Sequence, residues 1–369
     1  MALGTELQIP FMWVQIPPQP IFLKGEKMNS LDFLEKLINT PSPSGFEERA
    51  SELWREYVNP FVSNMDTCHY GNTFAFVNPE SDKKIMLCSH IDEIGMMVNY
   101  INDEGFIYFS AIGGIDESIL PATEVIICGK EEKVFGVIGS MPIHLKEDEE
   151  ESIKIHNLYI DVGASSKEQV LEKVNIGDPI VANYGLTKLY NNRIVGRGLD
   201  DRIGAWCVAE ILKKISDKNL PVGVCGALTV QEENGLYGAT MSAHNVKPDI
   251  AIAIDVCFCT DVPGISKEQH GEVSLGGGPV LSVGSSIHKE TTESIINTAN
   301  NNRIEIQRVI SPVYTGTDAD AIFKSVGGIP TSVVSIPNRY MHTPVEMVQL
   351  EDLYAVIDLV AAWCQEERE

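Results

Sequence analysis

The feature that most constrains this chain is a series of short, nearly continuous apolar runs that alternate with helical patterns. KIMLC (84–88), VGVCGALTV (222–230), DIAIAIDV (249–256), GPVLSVG (278–284) and TSVVSIP (331–337) are too short for helices and lack the polar alternation of a half-exposed strand, and IEIQRVI (304–310) is strand-like beside them. Such runs suit strands buried on both faces, and the helical patterns near 202–215, 289–302, 318–326 and 350–367 supply the covering layers. The expected class is therefore α/β, a mixed central sheet flanked by helices.

Two stretches depart from that texture. From Ser30 to Phe61 the pattern is helical, broken at TPSPSG (40–45). Between about 97 and 188, runs such as FIYFS, TEVIIC, KVFGVIG and DPIVANYG alternate with Gly and Asp turns, which reads as a small barrel-like all-β module. The economical division is one α/β domain from 28–96 and 189–369, with 97–188 inserted as a β-barrel-like domain. Residues 1–27 are read as an N-terminal extension ahead of a native start at Met28. They contain no Lys or Arg before Lys24 and no small-residue cleavage site, so they do not resemble a signal peptide. The acidic run KEDEEES (146–152) is read as a solvated loop.

Composition removes several classes. The 369 residues carry a formal net charge of −24, whereas nucleic-acid binders need a basic footprint. No apolar run approaches the roughly 18 residues of a membrane span. The eight cysteines form no CxxC pair and mostly sit inside apolar runs, which favours buried, reduced thiols and a cytoplasmic location.

In open α/β sheets, ligands bind beyond the carboxyl ends of the strands. The first of these runs leads into Ser-His90-Ile-Asp92-Glu93, the second into Gln-Glu232-Glu233 and the third into Asp255. TSVVSIP is followed by Asn-Arg-Tyr-Met-His342, and GRGLDDRIG sets Asp200 and Asp201 where a loop enters a helix. Taken singly, each has a bland reading: a hydrogen-bonding His, an acidic helix start, an N-cap. Five such segments aimed at one edge are better explained as ligands. Two imidazoles with mixed carboxylates suit zinc, cobalt or manganese rather than calcium, which prefers oxygen alone. Two ions about 3.5–4 Å apart need a bridging carboxylate, and a hydrolytic site needs a base, so Glu232–Glu233 offers one carboxylate for metal and one for proton transfer. Gly196-Arg-Gly198 lacks the third glycine of a dinucleotide fingerprint, and no G-x-S-x-G elbow is present.

SHIDEIG, GRGLDDRIG, TVQEENGLYGA, AIDVCFCTDVPG, TGTDADAI and IPNRYMHTPVEMV occur in this order. With them the chain, from about Met28 onward, resembles the glutamyl and tetrahedral aminopeptidase family of co-catalytic metallopeptidases. The resemblance implies two divalent ions, zinc first, with His90 and Asp255 on one, Glu233 and His342 on the other, and Asp200 bridging. It implies that Glu232 is the general base acting on a metal-bridging water, and that Asp92 orients His90. It also implies a cis peptide between Asp200 and Asp201, peptide substrates with a free N-terminus, and homo-oligomers up to hollow tetrahedral dodecamers. CFC at 257–259 departs from the family's usual residues beside Asp255. The competing readings are a related metal-dependent carboxypeptidase or deacylase, an endoglucanase, and an inactive scaffold; a glycosidase needs two carboxylates and no metal.

Overall fold

The computed structural model describes residues 28–130, 132–145 and 153–367. The leading segment 1–27 and the acidic run 146–152 lie outside the described residues. The backbone builds an eight-stranded mixed sheet, a closed six-stranded barrel and a small three-stranded sheet. The expected α/β class with a barrel is therefore observed.

The centre of the large sheet is four adjacent parallel strands: Gly223–Thr229, Lys84–His90, Ile250–Phe258 and Thr331–Asn338. Parallel pairing points all four carboxyl ends the same way, which places the segments after His90, Thr229 and Asn338 at one edge. These strands are buried almost throughout, as their unbroken apolar texture requires. Antiparallel neighbours extend the sheet on both sides, Thr73–Val77 and Asn64–Thr67 at one flank and Val280–Gly284 with Gln307–Ser311 at the other.

One face of the sheet is covered by the helix Leu199–Ile215 and the closing helix Leu350–Glu366. Leu199–Ile215 is buried along nearly its whole length because the first two helices of the chain pack over it. Trp54 Nε1 donates to the Ala205 carbonyl at 2.8 Å, and Trp206 Nε1 donates to the Ser30 carbonyl at 2.9 Å. Helix Ser30–Asn39 starts at Asn29, whose side chain accepts from the Asp32 amide. It buries Phe33, Leu34, Leu37 and Ile38 on one stripe.

The barrel runs Gly95–Ile101, Ile107–Ile112, Ile160–Asp161, Lys133–Ile138, Glu124–Cys128, Pro179–Ala182 in spatial order and closes on itself, removing free edges. Val98, Ile107, Phe109, Val125, Ile127 and Ile180 fill it. The eight cysteines are all free thiols. No helix among the described residues is long and apolar enough to cross a membrane.

Regular helical geometry begins at Arg202, as the helix expected near 202–215 requires, because Asp200 and Asp201 keep non-helical backbone angles. The peptide between these two aspartates is cis, also as expected. Two boundaries differ from the sequence reading. Asp255 lies inside its strand, paired with Ser335, and the ladder continues three residues further to Phe258. The helix expected at 318–326 is the single turn Ala319–Ile322, since Val326, Gly327 and Gly328 all take positive φ and cannot prolong it.

Candidate functional site

His90 ends its strand with its ring buried beneath the sheet edge. Its Nδ1 lies 3.1 Å from the backbone oxygen of Asp92 and 3.4 Å from Asp92 Oδ1. Those oxygens only accept, so Nδ1 carries the hydrogen and Nε2 faces the other way. Nε2 meets Asp200 Oδ1 at 3.1 Å and lies 3.9 Å from both Glu232 Oε2 and Asp255 Oδ1.

His342 arrives from the turn after Thr331–Asn338 with φ +59°, a left-handed backbone that a non-glycine residue seldom adopts. Its Nδ1 donates to the Gly114 carbonyl of the barrel at 2.9 Å. A Cβ at Gly114 would sit 3.1 Å from that nitrogen, close enough that any larger residue there would press on the ring. His342 Nε2 is 3.4 Å from Asp200 Oδ2 and 3.5 Å from Glu233 Oε2. Asp200 thus presents one oxygen to each imidazole.

Asp92 does more than touch His90. Its Oδ1 accepts from the Glu232 amide at 3.1 Å, and its Oδ2 accepts from the Glu233 amide at 3.2 Å and the Ser44 hydroxyl at 2.6 Å. All seven residues singled out in the sequence, His90, Asp92, Asp200, Glu232, Glu233, Asp255 and His342, therefore meet in one place. The other six histidines of the chain take no part in these contacts. Arg339 is committed elsewhere, its Nε and Nη2 bound to Asp261 at 2.8 and 2.7 Å.

Sequence reasoning missed several supporting groups. Glu346 is buried and accepts from the Asp200 amide through Oε2 and from the His342 amide through Oε1, both at 2.9 Å. It clamps two segments that are 142 residues apart in the chain. Asp318 is buried beside the cluster; one oxygen accepts from the Thr229 hydroxyl and the other, Oδ1, has no partner among the described residues. Asp201 accepts from the Ser89 hydroxyl and the Gly204 amide. Glu93 pairs with Arg197 Nη1 at 2.7 Å and Arg202 Nη2 at 2.9 Å, a buried network that fastens the GRGLDDR segment. All lie inside the six ordered motifs; Glu93 and Asp201 stand at the strand end and helix entry already noted but with no role given there, and no strand-end rule singles out Glu346 or Asp318.

The electrostatics follow from burying many acids around two imidazoles. Burial, then the charges of Asp255, Asp318 and Glu233, push Glu232 up to about 11 against the pull of His90. Burial and Asp200 push Glu233 up to about 8, and burial first, then the charge of Asp200, raises Asp255 and Glu346 well above the carboxylate range. Asp200 goes the other way: burial opposes it, but hydrogen bonds from His342 and His90 hold it below the usual range. Hydrogen bonding to Asp200 raises His342 to about 9.

The site is thus rich in oxygen donors and short of positive charge, which is what divalent cations supply. Ligand atoms of His90, Asp200 and Glu233 lie within 4.8 Å of one another, as do those of His90, Asp201 and Asp255. The nitrogen and oxygen donor set fits zinc-like ions. Of the two adjacent aspartates, Asp200 has the more available oxygens. Its oxygens face only the two imidazoles, whereas those of Asp201 are already taken by Ser89 and Gly204.

Comparison with known proteins agrees with this geometry. The model of the M42 glutamyl aminopeptidase family matches residues 71–359. Lysyl aminopeptidase of Pyrococcus furiosus is 30% identical over 344 residues, covering 91% of this chain and 96% of its own. A TET aminopeptidase from a marine sediment Thaumarchaeota archaeon superposes with a TM-score of 0.88 at 31% identity, covering 92% of this chain and 96% of that one. The Pyrococcus horikoshii TET1 peptidase, which assembles into a tetrahedron or a large octahedral shell, superposes with a TM-score of 0.82 at 32% identity, covering 92% of this chain and all of that one. With sequence and fold both matched over nearly the whole described chain, the protein belongs to the M42 glutamyl aminopeptidase family and is an aminopeptidase.

Proposed function

We propose that the chain removes residues one at a time from the free N-termini of peptides, using two divalent ions, zinc first among them. His90 and Asp255 would hold one, Glu233 and His342 the other, and Asp200 would serve both. The observation that carries this reading is the split carboxylate of Asp200, with Oδ1 at 3.1 Å from one imidazole and Oδ2 at 3.4 Å from the other. Bound there, such ions supply Lewis acidity toward a carbonyl oxygen and lower the pKa of water.

The protein's own groups do the rest. Glu232 takes the proton of the attacking water and returns it to the departing nitrogen. Asp92 fixes the tautomer of His90 through the ring's Nδ1 side and, through the two backbone amides, the direction of Glu232 and Glu233. The surplus of carboxylates draws in the protonated α-amine of the substrate, which an acetyl cap neutralises.

In this reading the catalytic domain comprises 28–96 and 189–369, and the inserted domain 97–188 adds surface for assembly. The resemblance to self-assembling TET peptidases supports a homo-oligomer, in its largest form a tetrahedral dodecamer whose interior admits short or unfolded chains. The test is a digest followed by mass spectrometry. A ladder shortening from the N-terminus is expected, with N-acetylated copies spared; internal cuts, or equal cleavage of acetylated peptides, reject the reading. Light scattering should show a species well above 40.6 kDa, and a strictly monomeric active enzyme rejects only the assembly.

A further inference from the structure

The break at 40–45, which separates the first two helices, turns out to be tied to the site. Ser42 and Glu93 exchange backbone bonds: the Glu93 amide donates to the Ser42 carbonyl at 3.0 Å, and the Ser42 amide donates to the Glu93 carboxylate at 2.9 Å. The Ser42 hydroxyl donates to the Ile91 carbonyl, and the Ser44 hydroxyl donates to Asp92. The loop is thereby zipped along residues 91–93, directly behind His90. Two residues past Gly45, the buried Glu47 turns back, and its Oε1 accepts from the Gly45 amide at 2.6 Å and from the Gln231 amide at 3.2 Å.

Gln231 immediately precedes Glu232 and holds φ +54°, a left-handed backbone at a non-glycine residue. Three successive amides, those of Gln231, Glu232 and Glu233, are thus each held by a carboxylate: the first by Glu47 and the other two by Asp92. Without an acceptor at the first amide, a left-handed residue relaxes toward commoner backbone angles and swings the following carboxylates with it.

We infer that Glu47 is a positioning residue for the reaction, setting the direction of Glu232 by holding the Gln231 amide in its left-handed turn. This rests on the assignment of Glu232 as the base proposed above. The role is that of an acceptor and not of a charge. Burial, and then the Asp92 carboxylate, push the Glu47 carboxyl up to about 7, and an amide oxygen serves equally well.

The experiment compares Glu47→Ala, Glu47→Gln and Glu47→Met in metal-loaded, full-length enzyme. Glu47→Ala is expected to lower kcat by roughly 10–100-fold, the scale of a displacement near 1 Å in a catalytic group. KM should stay within about threefold and metal content should not change. Glu47→Gln should restore kcat to within about fivefold of the parent, whereas Glu47→Met, which fills similar space without an accepting oxygen, should not; equal rescue by both would reduce the role to packing. Hydrogen exchange of the peptide spanning 228–236 should quicken in the alanine variant and not in the glutamine variant.

An alanine variant with parental kcat and parental exchange overturns the inference. So does a loss of turnover that tracks lost metal or unfolded protein equally in the alanine and glutamine variants. If the parent itself turns over no aminoacyl substrate with zinc, cobalt or manganese, the functional reading fails, and the exchange rates still decide whether Glu47 holds the turn.

Discussion

Glu232→Gln is expected to lower kcat by at least ~10²-fold and up to ~10⁴-fold, the range of general-base contributions, with metal content unchanged. Glutamine keeps the length and the hydrogen-bonding reach of the side chain but cannot take a proton. The geometry separates Glu232 from its neighbour: its Oε2 stands 3.9 Å from His90 Nε2, while Glu233 Oε2 lies 3.5 Å from His342 Nε2. Glu233→Gln should behave differently and shed metal. If Glu232→Gln loses metal while Glu233→Gln retains it, the two roles are exchanged. Parental turnover by a fully loaded Glu232→Gln enzyme removes Glu232 from the mechanism altogether.

Removal of the metals should have the larger effect, a loss of turnover to background that returns on adding zinc, cobalt or manganese. Metal analysis of active protein should give close to two ions per chain. Asp200→Ala should match chelation more closely than any other single change, because Asp200 alone of the five proposed ligands presents an oxygen to each imidazole. Chelation should also lower thermal stability. A ligand that binds only the folded state stabilises it by RT ln(1 + [L]/Kd), and here it also offsets the mutual repulsion of buried carboxyls. Full activity in metal-free protein, or one ion per chain at full activity, would defeat the two-ion reading.

The chain order of apolar runs was enough to read the α/β class and the carboxyl edge of the sheet, because both rest on local texture. Parallel pairing then brings His90, Glu232, Glu233 and His342 together without any knowledge of contacts. Asp255 was found by a rule that its strand does not obey, since the ladder runs on to Phe258. The strand Asn64–Thr67, short, polar and largely exposed, leaves no such texture in the sequence. Glu346, Glu47 and Asp318 were invisible for another reason. Each acts through a hydrogen bond to a residue 89 to 184 positions away, and nothing in local periodicity records such a partner. The motif set contained two of them, but only coordinates separate a clamp from a ligand.

The Gly114 carbonyl that receives His342 Nδ1 has a bearing on how such proteins can be rebuilt. An inserted module is usually regarded as removable, since its entry and exit can be closed by a short turn. Here the barrel lends an atom to the orientation of a histidine in the reaction centre, at a spot where even a methyl group would crowd the ring. Swapping barrels between relatives is therefore a problem of registration as much as of folding. A grafted barrel that folds perfectly but carries its 114-equivalent loop one residue out of step would yield a soluble, assembled and silent enzyme, and an insertless version would lack the acceptor outright.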